Sequence, residues 1–418
     1  MKASYKELLL NWKQPSLLLS GIGISNLGDW IYLIALNLIV LNMTDSATAV
    51  AGLYIIKPIA AILTTFWAGS IVDRFPKRQL MIILDVLRAL FVVIIPLVDS
   101  LWLIYILVLL ISMASSFFEP TSATYITKFI PQNQRKRFNS LRSLVSSGAF
   151  VLGPALAGLL FIIGNPTFAI YTNSFTFLFS AFIICLLPKL ENEKVKSVEE
   201  KISFKILQKD WKLVIDYARK EKYVMLVYLL FQSAMVVCMA LDSQEVVFTR
   251  EVLHLSESSY GVLVSIAGVG ILAGSLINAV TVKWLSSQFL IGAGTTLVAC
   301  GYLIYSFSTT FIGGAVGFFV LAFFLGFANT GFWTFYQNNI PVNVMGRVGS
   351  VLGMFLAILQ IGFTFLIGFT GDFISVKYVV IFGSSTMLVI ALVLLLISLM
   401  PSKVSYYNSG NSVKSEIT

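Results

Sequence analysis

The stretch GSIVDRFPKRQLMIILDVLRALFVVIIPLV, which runs from Gly69 to Val98, decides the fold class of this chain. It joins a short charged segment to Gln79–Val98, a run of twenty mostly apolar residues. A helix of about 20 such residues crosses the roughly 30 Å hydrocarbon core of a bilayer. Similar windows, bounded by charge or by turn residues, recur along the sequence, so we predict a polytopic membrane protein.

Twelve windows satisfy this criterion, and we predict twelve transmembrane helices from them. The composition agrees, because 57% of the residues are hydrophobic and 12% are charged, whereas a soluble domain carries about 25% charged residues. The expected spans are Ser16–Leu41, Val50–Ile71, Gln79–Val98, Leu101–Ile126, Leu141–Ile163, Phe168–Leu187, Tyr223–Val247, Tyr260–Val282, Phe289–Phe307, Phe311–Phe335, Ser350–Thr370 and Tyr378–Met400.

The placement of lysine and arginine predicts the orientation, because short cytoplasmic loops retain positive charge. With the N-terminus inside, 25 of the 29 Lys and Arg residues fall on the cytoplasmic side. We therefore expect a multi-pass protein of the cell membrane with both termini cytoplasmic. The net charge of +9 is then a topology signal, so the lipid bilayer is an expected partner and nucleic acid is not.

An internal repeat predicts an all-α fold of two pseudo-symmetric six-helix bundles. Two short patterns recur at offsets of 210 and 209 residues. The expected organisation is an N-terminal bundle at 1–187, a cytoplasmic linker at 188–222, a C-terminal bundle at 223–400 and a cytoplasmic tail at 401–418. The matching residues are Ile130, Pro131, Arg137 and Ser140 with Ile340, Pro341, Arg347 and Ser350, and Ala51, Gly52 and Leu53 with Tyr260, Gly261 and Val262.

The linker is the longest polar stretch of the chain, and it contains a helical pattern. Apolar residues recur there at helical spacing with lysines between them, which predicts an amphipathic helix. Such a helix either lies on the inner leaflet or ties the two halves together as a solvated element. Its apolar positions are Phe204, Leu207, Trp211, Val214, Ile215 and Ala218.

Charged side chains inside the predicted spans need a reason, since each costs roughly 2.5 to 3.5 kcal/mol on insertion scales. Asp29 lies about halfway along the first span, with Asn26 and Asn37 on the same helix face, so we expect this face to line a central cavity. Asp29 is either a proton carrier or a static partner of Lys57 that locks the bundle. Glu119 in the fourth span is a second candidate carrier.

Two further acids, Asp242 and Glu245, lie near the outer end of the seventh predicted span. An outer gate and simple interfacial placement both fit that position.

Other residue types argue against an enzyme. Cys185, Cys238 and Cys300 all fall in predicted spans without a CxxC pair, so we expect no disulfide framework and no metal cluster. The sole histidine, His254, and the scattered cysteines supply neither a nucleophile with a base nor a ligand set, and we expect no cofactor. The sequence also lacks a G-x-x-x-x-G-K-[ST] loop, which disfavours ATP-driven transport. A secondary transporter is therefore the expected class.

The charged segment after the second span is expected to act as a cytoplasmic gate, because Asp73 can hold a helix N-terminus or an arginine in one conformation and release it in another. The segment resembles the G-x-x-x-D-R-x-G-R-R/K loop of the major facilitator superfamily, with Pro76 where that family usually has Gly. The resemblance implies the major facilitator fold. The candidate gate residues are Gly69, Asp73, Arg74, Lys77 and Arg78, together with the nearby Asp85 and Arg88, for which a structural role is the alternative.

Further residues are similar to particular branches of that superfamily. The fifth span contains Gly148, Gly153, Pro154 and Gly158, similar to the glycine-proline motif of drug/proton antiporters, although small-residue packing with a proline kink gives the same pattern. The stretch Ser25–Trp30 and the Asp85–Arg88 turn resemble the macrolide-efflux branch. Two features depart from the family: the second-half counterpart of the Asp73 loop has no acid, and the fourth span has no arginine.

The resemblance implies a monomeric, proton-coupled efflux pump that works by alternating access. Its expected partners are protons and an amphipathic small molecule, such as a macrolide-like drug or another antibiotic. A transporter of a lysophospholipid, a peptide or another metabolite would share every feature described above.

Overall fold

The computed structural model describes residues 5–189, 204–281 and 284–407. Within this part the chain is almost entirely helical. The α-helices are α1 (Tyr5–Thr44), α2 (Ala47–Arg74), α3 (Lys77–Ile94), α4 (Leu101–Phe129), α5 (Gln132–Ile163), α6 (Pro166–Leu186), α7 (Phe204–Lys220), α8 (Lys222–Asp242), α9 (Glu245–Glu251), α10 (Glu257–Thr281), α11 (Ser287–Phe307), α12 (Phe311–Asn339), α13 (Val342–Phe373) and α14 (Val376–Ser398). Short 3-10 segments follow α3 at Ile95–Leu97 and α14 at Pro401–Tyr406.

Twelve of these helices are long and apolar enough to cross a membrane, and they correspond one to one to the twelve predicted spans. The predicted all-α, twelve-span fold class is therefore confirmed. The two helices outside this set are α7 and α9.

The seventh span differs from its prediction. A single span over Tyr223–Val247 was expected, but α8 ends at Asp242 and a two-residue turn, Ser243-Gln244, separates it from α9. The Gln244 side chain is fully buried and bonds the Ser243 hydroxyl at 3.0 Å, so the break is held from inside the protein. Asp242 and Glu245 consequently stand on two different helices.

Unit 1 is the first of two compact units and comprises Met1–Asp45, Ile56–Glu200 and Glu257–Ser265. In it α1 packs on α5 and α6, while α3 packs on α4 and α6. The start of α10 belongs here, where the Asn42 amide donates to the Glu257 carboxylate at 2.9 Å.

Unit 2 comprises Ser46–Ile55, Lys201–Ser256 and Ile266–Thr418. In it α8 packs on α13 and α14, while α11 packs on α12 and α14. The start of α2 belongs to this unit, because the Asp372 carboxylate accepts from the Ser46 hydroxyl at 2.8 Å and from the Ala47 backbone N–H at 2.6 Å. A carboxylate at a helix N-terminus satisfies donors that have no partner inside the helix.

The same packing pattern therefore occurs twice. Helices α1, α3, α4, α5 and α6 of unit 1 correspond to α8, α11, α12, α13 and α14 of unit 2, and the main pairings in one unit have their counterparts in the other. This agrees with the pseudo-symmetry that the sequence repeat predicts. It also places α1 and α8 at equivalent positions, which matters because both carry acidic residues.

Small residues bring α11 and α12 close together. A Cβ added at Gly317 would lie 2.6 Å from the Tyr305 backbone nitrogen, and one added at Gly294 would lie 2.8 Å from the Ala328 nitrogen. Glycine lets two membrane helices approach until their backbones touch, which gains van der Waals contact that lipid does not supply.

The predicted amphipathic helix of the linker is α7, and it is attached to unit 2. Val214 is buried, and the Tyr217 hydroxyl donates to the Asn339 carbonyl at 2.9 Å. Trp211 and Ile215 remain exposed. The earlier part of the linker, residues 190–203, lies outside the described residues, as does the tail from residue 408.

Candidate functional site

Unit 1 contains a cavity of about 390 Å³ whose wall is amphipathic. Leu18, Ile22, Met81, Phe118, Ile183 and Ile184 form its apolar part. Its polar part contains five charged side chains and six hydroxyl- or amide-bearing ones, which are Asp29, Lys57, Arg88, Glu119, Arg142, Ser25, Asn26, Ser115, Ser122, Ser146 and Ser180. The cavity thus brings together four of the five residues predicted to line a substrate or proton pathway, namely Asn26, Asp29, Lys57 and Glu119.

Asp29 lies about halfway along the membrane-crossing part of α1 and is exposed to the cavity. One turn earlier, the Asn26 side-chain amide donates to the Ser146 hydroxyl on α5 at 2.9 Å. That bond fixes the polar face of α1 against α5. Asn37, predicted to share this face, is buried and is not one of the cavity-lining residues.

Lys57 lines the same cavity from α2 and is exposed. Asp29 and Lys57 form no ion pair, although Arg88 and Lys57 both contribute to the electrostatic environment of Asp29. The geometry therefore contains no static Asp29–Lys57 bond.

Arg88 is already paired. Its guanidinium binds the Asp85 carboxylate three residues earlier on α3, and both side chains are buried. The guanidinium also lies between the rings of Phe118 and Phe177, 4.3 Å from each centroid. Cation–π contacts of this kind add to the ion pair in a desolvated position. Asp85 and Arg88 thus lie in the interior of α3, packed in the core of unit 1.

Glu119 and Arg142 lie at similar depth on consecutive helices. Glu119 is ten residues before the end of α4, and Arg142 is ten residues after the start of α5. At 1.5 Å per residue each lies about 15 Å from the α4–α5 connection. Glu119 is exposed to the cavity, Arg142 is half-buried, and neither makes a hydrogen bond or an ion pair with another described residue.

The predicted gate segment has two parts. Gly69, Asp73 and Arg74 continue α2 as helix, and the turn itself is Phe75-Pro76; the side chains of residues 65–74 lie outside the described ones. Arg78 donates from Nε to the Ile184 carbonyl at 3.0 Å and also bonds the Cys185 carbonyl. A cation on the last carbonyls of α6 is favourable, because those groups have no partner inside the helix. The Lys77 ammonium donates to the Phe75 carbonyl at 3.3 Å.

The glycines of α5 have different surroundings. A Cβ at Gly153 would collide with the Trp30 side chain, and one at Gly158 would lie 3.0 Å from the Ser258 carbonyl oxygen. A Cβ at Gly148 would meet no heavy atom within 4 Å. Close helix packing therefore involves Gly153 and Gly158, and the antiporter role of this motif stays a prediction.

Sequence reasoning missed Arg142 as a cavity residue, because the charge count assigned it to a cytoplasmic loop. It also missed the serines. A usable signal was present: Arg142 and Ser146 are spaced i, i+4 on α5, and Ser115, Glu119 and Ser122 share one face of α4.

The chain matches the family model described as Major Facilitator Superfamily over residues 18–361. It is 26% identical over 378 residues to the MFS-type transporter YfiS of Bacillus subtilis (strain 168), with 84% of this chain and 87% of that protein covered. It is 26% identical over 190 residues to the putative bacilysin exporter BacE of the same organism, with 45% and 47% covered. The crystal structure of nucleoside transporter NupG superposes with a TM-score of 0.71 at 12% identity, covering 93% of this chain and 100% of that one. The family model spans most of the sequence and the helical packing agrees with it, so the chain belongs to the Major Facilitator Superfamily and is a membrane transporter rather than an enzyme.

Proposed function

We propose that this chain is a secondary active transporter of the cell membrane that exports an amphipathic organic compound in exchange for protons, by alternating access. The observation that carries the proposal is Asp29, a mid-span carboxylate that faces the unit 1 cavity and forms no ion pair with a described residue. Placing a charged carboxylate at such depth costs free energy, so a carboxylate found there is a candidate for a functional role.

A proton carrier has to meet two structural requirements, and Asp29 meets both. It must be reachable by water or substrate, and Asp29 is exposed to the cavity. It must also not be locked by a permanent counter-ion. Arg88 and Lys57 both act electrostatically on Asp29 without bonding it, and Arg88 is paired with Asp85. Asp29 can therefore change its charge without breaking an ion pair.

The cavity wall supports an amphipathic substrate. Apolar side chains such as Leu18, Ile22 and Phe118 can contact a hydrocarbon or ring portion, while the serines and Asn26 can bind polar groups. A macrolide-like drug or another antibiotic fits this description. Export as the direction of transport is supported by the resemblance to efflux proteins and by the similarity to BacE.

A second candidate is a transporter of a peptide or a charged metabolite, and the cavity's charges favour it. Lys57 and Arg142 provide two cations, and Asp29 and Glu119 provide two carboxylates, none of them in an ion pair with a described residue. An arginine fork matches a carboxylate in geometry, and an ammonium group suits a carboxylate partner. A substrate with charges of both signs would use all four. A lysophospholipid belongs to this alternative.

A susceptibility panel tests the proposal and separates the two candidates. An efflux-deficient bacterial host would express the wild-type chain or Asp29→Asn at matched membrane levels and would be challenged with macrolides, other amphipathic antibiotics and peptide antibiotics. We expect the wild-type chain to raise the tolerated concentration of one class, and we expect collapse of the proton gradient or Asp29→Asn to remove the effect. Protection that survives both treatments would rule out proton-coupled export through Asp29.

The gate stays part of this proposal. We expect Gly69, Asp73 and Arg74 to act with Lys77 and Arg78 at the cytoplasmic side, as the resemblance implies. Asp73→Asn should lower the transport rate without lowering the amount of protein in the membrane.

A further inference from the structure

A second group of ionisable side chains lies in unit 2, where α8, α9 and α11 meet. Asp242 is the last residue of α8, and its carboxylate accepts a hydrogen bond from the Tyr302 hydroxyl on α11. The Tyr302 oxygen lies 3.0 Å from the Cys238 sulfur, one turn before Asp242 on α8. The Tyr302 hydroxyl therefore contacts both the Asp242 carboxylate and the Cys238 thiol.

Glu245 begins α9 just after the Ser243-Gln244 turn, so two carboxylates stand within three residues of each other. Both are partly exposed, whereas Tyr302 and Tyr305 are 1% exposed and Thr249 is 2% exposed. The pair is therefore reachable by water but surrounded by buried groups. Burial, together with the negative charge of Asp242, raises the pKa of Glu245 well above its ordinary range.

Two buried hydroxyls point to a ligand beyond the carboxylates themselves. Tyr305 on α11 acts electrostatically on the same pair, and Thr249 lies one turn after Glu245 on α9. The two hydroxyls lie near each other, but neither oxygen has a hydrogen-bond partner of ordinary geometry in the described part of the chain. Buried polar groups are almost always bonded in proteins, so two such hydroxyls beside two acids mark a polar site.

No described lysine or arginine forms an ion pair with Asp242 or Glu245. The groups that act on the pair are Cys238, Tyr302 and Tyr305, besides the two acids themselves. Toward this end of the helices packed here, the other ionisable side chains include Arg250 and Glu251 on α9, Asp372 at the end of α13, and Lys377 and Tyr378 at the start of α14. Of these, Asp372 is already bonded to the start of α2.

We propose that Asp242 and Glu245 form a proton-binding site in unit 2, in which Glu245 carries an exchangeable proton and Asp242 stays ionised. Two neighbouring carboxylates without a cation cannot both ionise readily, because each negative charge disfavours the other. The Tyr302 hydroxyl donates to Asp242 and so stabilises its charged form, which leaves the proton on Glu245. Uptake transfers one proton from water to the Glu245 carboxylate, and release returns it.

The proposal for Glu245 does not depend on the function proposed for Asp29. It can be tested on purified protein, without any measurement of transport. Carbodiimides modify protonated carboxyl groups in apolar surroundings, and dicyclohexylcarbodiimide is a suitable probe. The purified full-length protein in detergent would be treated over a range of pH, and labelled peptides would be quantified by mass spectrometry. Asp372 is the internal control, since its carboxylate is exposed and already accepts hydrogen bonds at the start of α2, whereas the reagent selects carboxyl groups in apolar surroundings.

We expect Glu245 to be labelled at neutral pH and the labelling to fall at alkaline pH, with Asp372 unlabelled throughout. In Asp242→Asn the like charge is gone, so half-maximal labelling of Glu245 should move down by about one pH unit or more. In Tyr302→Phe the carboxylate of Asp242 loses its donor, so label should appear on Asp242 as well. Monodispersity and thermal unfolding would report whether each variant is folded.

Three results would overturn the proposal. The first is a wild-type Glu245 that remains unlabelled at every pH, which needs no variant to interpret. The second is labelling of Glu245 that does not move in a folded Asp242→Asn. The third is protection by sodium ions at constant pH, which would identify a metal-cation site instead.

Discussion

The unit 1 cavity and the unit 2 acidic pair of Asp242 and Glu245 involve equivalent helices, with Asp29 halfway along α1 and Asp242 at the end of α8. Their acids have different charged neighbours. The cavity holds carboxylates together with Lys57, Arg88 and Arg142. The acidic pair has phenols and a thiol around it, and no described cation bonds to it. The two units therefore share a packing pattern and differ in the charged groups that it holds.

This difference separates the expected roles. Asp29 faces a cavity large enough for a ligand, so proton binding and substrate binding can compete there. Asp242 is bonded by Tyr302, and the buried Tyr305 acts electrostatically on the pair, so we expect a proton rather than a substrate to bind there. We therefore expect variants in the two regions to affect different measurements.

The largest effect is expected from Asp29→Asn. The amide resembles the protonated acid and cannot cycle, so substrate binding should persist while uphill, gradient-driven transport falls to background. Asp29→Glu should retain partial activity with a shifted pH optimum. The measurement is substrate accumulation in inverted vesicles as a function of pH. If Asp29→Asn transports uphill at the wild-type rate, Asp29 does not couple transport to protons. The acidic pair of unit 2 would then be the remaining candidate for coupling.

The next effect concerns stability and is specific to unit 1. Arg88→Met leaves the buried Asp85 uncompensated, which typically costs about 3 to 5 kcal/mol. Thermal unfolding of the purified variant should show the loss, and Asp85→Asn combined with Arg88→Met should recover much of it. A single variant as stable as the wild type would mean that the Asp85–Arg88 pair contributes little to the core.

Tyr302→Phe should have a smaller effect, because it removes one hydrogen bond to a charged group and leaves the ring in place. Such bonds contribute about 1.5 to 3 kcal/mol. We expect a modest fall in thermal stability, because the charge of Asp242 loses its donor. Tyr305→Phe is the matched control, since it removes a buried phenol hydroxyl from the same helix that is not bonded to Asp242. Equal losses in both variants would remove the distinction between the two tyrosines.

The smallest effect is expected from Lys57→Met. Asp29 and Lys57 form no ion pair, so neutralising Lys57 leaves no buried charge without its partner. Membrane levels of Lys57→Met should match the wild type, and Lys57→Met should not rescue Asp29→Asn. Rescue of expression in the double variant would instead support a static pair that forms in another state of the transporter.

The sequence predicted the fold well because a membrane imposes a simple rule. Every backbone group must be satisfied inside the hydrocarbon, so long apolar runs can only be helices. The twelve spans followed from that rule, and α7 followed from the helical spacing of the apolar residues in the linker. The break between α8 and α9 did not follow, since Val246 and Val247 continue the apolar run and only the buried Gln244 marks the turn.

The candidate site was predictable in part. Asp29, Lys57 and Glu119 stand out in the sequence because charge is rare inside apolar windows. Arg142 did not stand out, since it lies next to a basic loop, and the serines did not because hydroxyls are common in membrane helices. Whether these side chains line one cavity depends on which faces of α1, α4 and α5 point into it.

The sequence by itself determined that this protein lies in a membrane, how many times it crosses that membrane, and that a pattern recurs in its two halves. Hydropathy and repetition are properties of the chain alone. Only the tertiary structure decided which charges are paired. It joined Arg88 to Asp85 rather than to Asp29, left Asp29 and Lys57 apart, and set Tyr302 against Asp242 from a helix about sixty residues away. The reason is physical: an ion pair or a hydrogen bond depends on distances of a few ångströms between atoms of packed helices, and no spacing along the chain specifies those distances.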